Sequence, residues 1–260
     1  MNRKLILVTV INFFIYCNTS LAAVSCDGDD TIDSGSYALA LSANEAFTIY
    51  VKFRTTNNYS TTWDAIHGFF GSANDFMELG IGTAGGGVGG ANDLFFLIES
   101  SNEQDFENYV GTFNTGDWFV LICGRENAGN IFCYVNSTTK NSDTANTSIM
   151  TNATGYDVCS RTGGEGFIGD VAEFAIWEGV ELNSTEVSLL LNSKIRIAHQ
   201  IQPSFLKTYL HLNDIPNGNG GDLFTAKDFS RSGNNYTYNN GANNSGMTGL
   251  AEPVLSYPNP

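Results

Sequence analysis

The sequence has few basic residues and little charge of either sign. Of its 260 residues, 12 are lysine or arginine and 27 are aspartate or glutamate, which gives a formal net charge of −15. Proteins that bind nucleic acids need a positively charged surface for the phosphates. The deficit of basic residues therefore excludes nucleic acid as an expected partner, although the acidity alone does not identify a ligand.

The sequence also lacks the common catalytic and metal-binding motifs. It contains no HExxH motif, no nucleophile elbow and no CxxC pair, and its histidines, at 67, 199 and 211, lie in unlike contexts. The stretch Gly80 to Gly90 formally begins with GxGxxG, but further glycines and then a strand-like run follow it. We interpret this stretch as a loop, because a run of glycines does not sustain the helix that a dinucleotide site requires.

Long apolar runs are absent except at the N-terminus. Arg3 and Lys4 precede an apolar run from Leu5 to Tyr16, and Ser20-Leu21-Ala22 follows with small residues suited to cleavage. The run is about a dozen residues long, against about 20 for a membrane-spanning helix. We therefore interpret residues 1–22 as a secretory signal peptide. We expect the mature chain to have no membrane span and to be secreted, extracellular or on the cell surface.

The cysteines support an oxidising compartment. Cys17 is lost with the signal peptide, and the remaining four cysteines permit three pairings. Cys123 and Cys133 flank a turn-rich segment between two strand-like runs, which favours a disulfide across a hairpin. Cys26 and Cys159 then pair by remainder, or they remain as buried thiols.

Short runs of alternating polarity predict an all-β, antiparallel fold. The clearest is Phe47 to Arg54, which alternates apolar and more polar residues along its whole length. Clusters of Gly, Asn, Asp and Ser separate the runs, as in a sandwich. The other predicted strands are 65–70, 76–81, 94–99, 118–123, 131–135 and 167–177.

One short helix is predicted after the last of these strands. Asn183 can accept a hydrogen bond from the amide of Glu186, whose side chain can reach back, which is a capping box. The helix then presents an apolar face made of Val187, Leu190, Leu191 and Ile195.

The order of these elements resembles the laminin-G-like, concanavalin A-like lectin and glucanase family. Four segments carry the resemblance: the Asp-Gly strand at 26–35, Phe47 to Arg54, the pair 116–121 and 131–136, and 168–177 with the capped helix. They cover residues 24 to about 196. The resemblance implies an antiparallel jelly-roll β-sandwich with one short helix after the last core strand. It also implies binding of glycans or other surface ligands.

The C-terminal region also resembles this family, in an unusual position. Residues 209–214 and 227–235 are similar to segments that precede the Asp-Gly strand in many members. The two chain ends of a jelly roll lie near each other, so the C-terminus can supply these segments. We therefore expect 23–260 to be one domain, in which 24–196 forms the main sandwich and 201–260 closes it. The alternative is a separate extension with its own partner.

The carboxylates expected of a related hydrolase are incomplete. Glycoside hydrolases of this fold carry Glu-x-Asp-x-x-Glu on one strand. This chain has Glu173 and Glu178, with Ala175 at the middle position, and residues five apart on a strand face opposite ways. We expect no catalytic residues, and we expect Glu173 to accept hydrogen bonds from backbone amides.

These observations predict a secreted, non-catalytic recognition module that binds carbohydrate or another surface ligand in adhesion. Aromatic residues in loop-like surroundings are the candidates for stacking on sugar rings. The alternatives are a self-associating structural subunit of a surface appendage or virion, and a polysaccharide-active hydrolase. The candidate ligand-binding residues are Tyr59, Trp63, Tyr109 and Tyr156.

Calcium is the cofactor that the family resemblance implies. Calcium takes six to eight oxygen ligands, so several acidic or amide side chains must converge to bind it. The alternative is that these residues are turn formers and solvated charges. The candidate ligands are Asp27, Asp29, Asp30, Asp33, Asp228 and Asn234.

Overall fold

The structure is a computed structural model that describes most of the chain between residues 23 and 249. The described residues are 23–35, 41, 45–55, 57, 63–70, 76–82, 94–100, 103–109, 116–127, 129–145, 156–161, 165–193, 196–212, 224–239 and 248–249. Within these ranges, no helix has the length and apolar character needed to cross a membrane.

Strands dominate the described residues. The first nine are β1 Val24–Asp27, β2 Thr31–Asp33, β3 Phe47–Arg54, β4 Trp63–Phe70, β5 Phe76–Gly82, β6 Leu94–Ser100, β7 Glu103–Tyr109, β8 Trp118–Arg125 and β9 Asn130–Val135. The others are β10 Asn141–Ala145, β11 Tyr156–Val158, β12 Ser160–Arg161, β13 Glu165–Gly166, β14 Ile168–Glu178, β15 Leu206–Leu210, β16 Phe224–Ala226, β17 Tyr236–Asn239 and β18 Thr248–Gly249. The α-helix α1 spans Ser184–Asn192, and a 3₁₀ helix, η1, spans Ala198–Gln200.

These strands form two sheets. Sheet A has the order β10-β9-β8-β3-β14-β1-β18, and β15 also pairs with β14. Sheet B has the order β16-β17-β2-β11-β4-β5-β6-β7, with β12 and β13 beside β4. The pairing is antiparallel except for the contact of Gly166 with Ala65. The all-β sandwich and the seven predicted strands are therefore confirmed, but the Gly80 to Gly90 stretch is not wholly loop, since β5 extends to Gly82.

Strand β14 organises sheet A. It pairs along its length with β3 on one side, while β1 and β15 lie end to end along its other side. Its side chains alternate between two apolar layers, because Phe174 and Ile176 face the core between the sheets, whereas Ala175 and Trp177 face outward. Both faces of this strand are therefore buried.

Helix α1 and η1 cover the outward face of sheet A. The predicted capping box of α1 is present: the Asn183 side chain accepts from the amides of Thr185 and Glu186, and Glu186 accepts from the Asn183 amide at 2.9 Å. Val187 and Leu190 are buried against sheet A, as predicted. The indole of Trp177 donates to the carbonyl of Ile201 at 2.7 Å, which fixes η1 to β14.

Residues from the C-terminal region contribute strands to both sheets. β15 pairs with β14, β18 pairs with β1, and β17 pairs with β2. A buried hydroxyl cluster joins the sheets, since Thr208 lies 2.6 Å from the Tyr156 hydroxyl and 2.8 Å from that of Tyr236. We propose on these contacts that 23–260 folds as one unit.

Two disulfides are present: the hairpin pair that the sequence favoured, and the Cys26–Cys159 pair, for which two buried thiols were the alternative. Cys123–Cys133 joins the adjacent strands β8 and β9, and its cysteines are 10 residues apart in sequence. Cys26–Cys159 joins β1 of sheet A to the residue that follows β11 of sheet B, and its cysteines are 133 residues apart. The second disulfide is therefore a covalent link between the sheets.

We predict that truncation after Arg196 prevents cooperative folding. The truncation removes β15, leaving part of the β14 edge unpaired, and an unpaired edge promotes aggregation. Thermal melting and size-exclusion chromatography measure the effect. Removal of residues 250–260 alone is the control, because it deletes no described strand, and it should leave the melting curve unchanged. A truncated chain that melts like the full chain would show that 201–260 is a separate extension.

We also predict that the two disulfides stabilise the fold unequally. Loop-closure entropy increases with the length of the closed loop, so loss of Cys26–Cys159 should cost about 2 kcal/mol more than loss of Cys123–Cys133. Paired Cys→Ala variants unfolded in denaturant measure the two costs against each other. Equal losses would contradict the loop-closure argument.

Candidate functional site

The ends of four neighbouring strands of sheet A meet at one end of the sandwich. Arg54, the last residue of β3, pairs with Trp118, the first residue of β8, and with Asp170 near the start of β14. Asp27, the last residue of β1, pairs with Ile168. These residues therefore lie at one end of sheet A, where the chain passes between sheet A and sheet B.

The strand ends of sheet B at the same end of the sandwich include two of the predicted aromatic residues. Trp63 begins β4, and Tyr109 ends β7 opposite Leu94, the first residue of β6. Residues 28–30 connect β1 directly to β2, and residues 55–62 connect Arg54 to Trp63. The strand ends named in the two sheets therefore lie at the same end of the sandwich. We call this end, defined by the residues named in this and the preceding paragraph, the loop rim.

A tryptophan and an arginine interact on the sheet A side of the loop rim. The Arg54 guanidinium lies 4.9 Å from the centre of the Trp118 ring, which is a cation-π contact. Asp170 fixes this arginine by accepting from its Nε at 2.9 Å and from one Nη. Trp118 is half-buried, and the neighbouring Ile168 is 40% exposed. An aromatic surface and a guanidinium are thus held next to solvent.

An acidic loop lies beside them. Gly28 adopts a φ of +107°, a conformation that favours glycine, and the chain turns back so that the Asp27 amide donates to Asp30 Oδ2 at 2.9 Å. One carboxylate oxygen from each of Asp27, Asp29 and Asp30 lies within 4.8 Å of the others. Among the described residues, this is the one group of three or more acidic, histidine or cysteine side chains with such spacing.

Asp30 is the buried member of this acidic loop. It is 1% exposed, and its Oδ1 atom has no hydrogen-bond partner. Burial raises the pKa of Asp30 to about 7, and the hydrogen bond from the Asp27 amide lowers it. The charges of Asp27 and Asp29 and a side-chain hydrogen bond with Asp27 also raise the pKa. The site therefore concentrates negative charge and leaves one buried oxygen unsatisfied.

The surroundings fix the acidic loop against sheet B. The Gly28 carbonyl packs so closely on Gly166 that any side chain at position 166 would collide with it. Thr31 and Ser160 share a hydrogen bond of 2.7 Å between their hydroxyls. With the adjacent Cys26–Cys159 disulfide, these contacts define the position of the loop on both sides.

The four predicted ligand-binding aromatics have different outcomes. Tyr59 lies outside the described residues. Trp63 and Tyr109 lie at the loop rim, but at the ends of strands rather than in loops. The prediction that Tyr156 stacks on a sugar was wrong, because Tyr156 is 1% exposed. Its hydroxyl belongs to the buried cluster with Thr208 and Tyr236. Trp118 was missed, although an aromatic residue directly after the Gly116-Asp117 turn is a recognisable signal.

The predicted calcium ligands also separate into two groups. Asp27, Asp29 and Asp30 converge, whereas Asp33 lies in β2 and accepts from the Gly35 amide at 2.6 Å. Asp33 therefore stands outside the acidic loop.

The carboxylate of Asp228, another predicted calcium ligand, is occupied by donors from its own loop and from β15. Its two oxygens accept from the amides of Tyr209, Ser230 and Asn234 at 2.9, 2.8 and 3.0 Å, and from the Ser230 hydroxyl at 2.8 Å. These four bonds fill the acceptor sites of a carboxylate. Asn234 takes part through its backbone amide, so these residues order a loop beside β15.

Glu173 is buried on the outward face of sheet A, 4% exposed. It accepts from the Tyr209 hydroxyl at 2.7 Å and also from Tyr50. The expectation that backbone amides are its donors was therefore wrong, because these tyrosines come from the neighbouring strands β15 and β3. Burial raises the pKa of Glu173, although the hydrogen bonds and the nearby Arg196 and Lys52 oppose the shift.

Comparison with known proteins identifies the fold. No protein-family model and no curated protein sequence matches this chain. A structure of a proposed carbohydrate-binding protein from Bacteroides ovatus is similar, with TM-score 0.60 and 18% identity over 91% of this chain and 61% of that one. This chain therefore spans about three fifths of that protein.

Two further structures share this similarity. Domain 4 of an extracellular arabinanase from Geobacillus stearothermophilus, in complex with arabinotriose, has TM-score 0.50 and 16% identity, over 65% of this chain and 76% of that one. Tailspike protein 2 of an Escherichia coli O157:H7 bacteriophage has TM-score 0.54 and 12% identity, over 74% of this chain and 26% of that one. With the sheet order, these similarities confirm a concanavalin A-like jelly-roll β-sandwich.

We predict that Glu173 makes stability depend on pH. In the unfolded chain the glutamate ionises near its usual pKa of 4.5, whereas the folded protein retains the proton to higher pH. The stability of the wild type, relative to the Glu173→Gln variant, should therefore be greatest below pH 4.5 and fall as the pH rises toward the folded pKa. Denaturant unfolding over a pH series measures this difference, and parallel curves for the two proteins would contradict it.

Proposed function

We propose that this protein is an extracellular, non-catalytic carbohydrate-binding module whose ligand contacts the loop rim. The observation that carries the proposal is the half-buried Trp118 beneath the fixed Arg54 guanidinium. Trp63 and Tyr109 lie at the same end of the sandwich. The similar proteins described as carbohydrate-binding, or solved with arabinotriose, support this class of ligand.

The chemistry of the rim suits a sugar. An indole ring offers an apolar surface to the C–H face of a pyranose or furanose, and aromatic residues dominate the energetics of such contacts. Guanidinium groups donate hydrogen bonds in a fixed planar arrangement, which suits the hydroxyls around the ring. Asp170 fixes the orientation of Arg54 before the ligand arrives, so little side-chain entropy is lost on binding.

The charge of the chain favours neutral or basic glycans. The net charge is −15, and the acidic loop adds local negative charge to the loop rim. A sulfated or uronic-acid-rich polymer would be repelled during its approach, whereas a neutral polymer would not. We therefore propose neutral or amino sugars as the ligand class.

An extracellular, non-catalytic role is consistent with the other features. The predicted signal peptide and the two disulfides suit an oxidising compartment. Glu173 is engaged by tyrosine hydroxyls, and Glu178 is ion-paired with Lys207 at 2.8 Å. We propose that neither carboxylate acts on a substrate.

The test is a glycan-array screen of the mature protein, followed by titration of the best ligand. Trp118→Ala should weaken binding about tenfold or more, because truncation of a tryptophan anchor typically costs over 1 kcal/mol. Phe205→Ala is the matched control: Phe205 is an aromatic residue, 38% exposed, beside Glu178 at the other end of β14, and its loss should leave affinity unchanged.

Three results would contradict the proposal. Equal affinity of the Trp118→Ala variant and the wild type would remove the loop rim as the binding site. Preferential binding of sulfated glycans would overturn the ligand class. Release of reducing ends by the wild type, abolished by Glu173→Gln, would replace the binding module with a hydrolase.

A further inference from the structure

We propose that two copies of this chain associate through the groove between α1 and η1, each copy inserting Leu189 into the groove of the other. This surface lies away from the loop rim, so the dimer stands independently of whether the loop rim binds a glycan. Three observations carry it: the exposure of Leu189, the groove beside it, and the lack of charge among the described residues of that groove.

The groove is a neutral depression on the outward side of sheet A. Its volume is about 540 Å³, which lies within the range of natural binding pockets. Its described lining residues are three aliphatic ones, Leu189, Ile197 and Ile201, and four with hydroxyl or amide side chains. None of these residues is charged, so the groove favours an uncharged, largely apolar occupant.

Leu189 has the properties of such an occupant. It is 50% exposed, which makes it the most exposed of the large apolar side chains that the structure describes. Thr185 and Asn192 lie four residues before it and three after it, so they share its face of α1, and both are exposed and uncharged. A helix that docks in a groove presents a row of residues with this spacing.

Symmetry and charge identify the occupant as a second copy. Because Leu189 itself lines the groove, the inserting side chain and its receptor belong to one patch, and a two-fold axis satisfies both copies at once. The net charge of −15 makes copies repel each other where acidic surfaces meet. This patch avoids that repulsion, since the single charged residue of α1 is Glu186, which is held at the start of the helix by bonds from Asn183 and Gln202.

Both walls of the groove are fixed before association. The Asn192 side chain donates to the Ser188 carbonyl at 2.8 Å, which holds it against α1. The Trp177 indole donates to the Ile201 carbonyl at 2.7 Å, and the Ile201 amide donates to the Ala198 carbonyl at 3.1 Å. Because the walls are already ordered, little conformational entropy is lost when the groove is filled.

The position of the groove leaves the loop rim free. Trp177, whose indole holds η1, lies near the end of β14, whereas Asp170 of the loop rim lies near its start. Seven residues of extended strand separate them by about 20 Å. A dimer formed at the groove therefore presents two separate loop rims.

Analytical ultracentrifugation of the full mature chain tests the proposal. We expect the mass of the wild type to rise toward that of a dimer at about 0.1 mM, as suits a small interface. Leu189→Lys should weaken dimerisation at least about tenfold, because it places charge in an apolar contact on both sides of the axis. The substitution also makes the chain less negative, so the loss cannot come from stronger general repulsion.

Ile168→Lys is the matched control. Ile168 is also an exposed apolar residue, 40% exposed, but it lies at the loop rim, outside the groove. This variant changes the charge equally and should dimerise like the wild type. Thermal melting of dilute Leu189→Lys should match the wild type, because the residue is exposed and lysine is a good helix former. Weaker dimerisation is then not a folding defect.

A pair of opposite charges tests which surfaces meet. Gln200→Glu places a carboxylate on the η1 wall of the groove, and alone it should also weaken dimerisation. An equimolar mixture with Leu189→Lys should restore the dimer, because the lysine of one copy then enters the groove that carries the glutamate. The other half of that mixed dimer retains the native contact.

Each contrary result overturns the proposal. A wild type that remains monomeric over this range would leave the groove to a neutral small molecule or to a different protein. Undiminished association of Leu189→Lys, or its loss in Ile168→Lys, would place the contact elsewhere on the chain. Failure of the mixture to restore the dimer would show that Leu189 does not enter the groove of the second copy.

Discussion

The burial of β14 on both faces is the constraint on which the rest of the structure depends. Its inward residues pack into the core between the sheets, and its outward residues pack beneath α1 and η1. Both of its edges must also be paired, because unpaired backbone groups in an apolar environment are costly. β3 fills one edge, and the other requires β1 at one end and β15 at the other. The C-terminal region is thus drawn into the sandwich by the need to complete this strand.

The same arrangement creates both parts of the candidate site. Because β14 begins where β3 and β1 end, Asp170 meets Arg54 and Ile168 meets Asp27. The first meeting fixes the guanidinium over Trp118, and the second positions the acidic loop. Binding residues commonly lie on connecting segments that a rigid scaffold positions. The aromatic and acidic parts of the loop rim are neighbours because the strands that end there are neighbours.

Three carboxylates of similar appearance in the sequence have different roles for physical reasons. Asp30 lacks enough donors around it and holds its proton to an elevated pH. Asp228 is also buried, but three donors from its own loop and the Tyr209 amide of β15 satisfy it. Glu173 is satisfied by tyrosines from two neighbouring strands. A buried carboxylate therefore marks a candidate ion site only where the surrounding chain leaves its acceptor capacity unused.

The sequence by itself determined the local elements. The alternation from Phe47 to Arg54 defined β3, and Asn183 with Glu186 defined the start of α1, because strand periodicity and helix capping depend on residues close in the chain. The hairpin geometry of Cys123 and Cys133 is local in the same sense. The turn at Gly28 brings Asp27, Asp29 and Asp30 together, so their grouping could also be predicted from the sequence.

Only the tertiary structure decided which side chains are covered. Tyr156 follows a Gly and lies near several polar residues in the sequence, yet β15 and β17 bring Thr208 and Tyr236 to its hydroxyl from more than 50 residues away. Trp118 gained its partner from β3, and Glu173 gained its donors from β3 and β15, through strand pairings that no local pattern encodes. Period-two alternation assigns a residue to a face of its strand, but burial of that face depends on which distant segment packs against it.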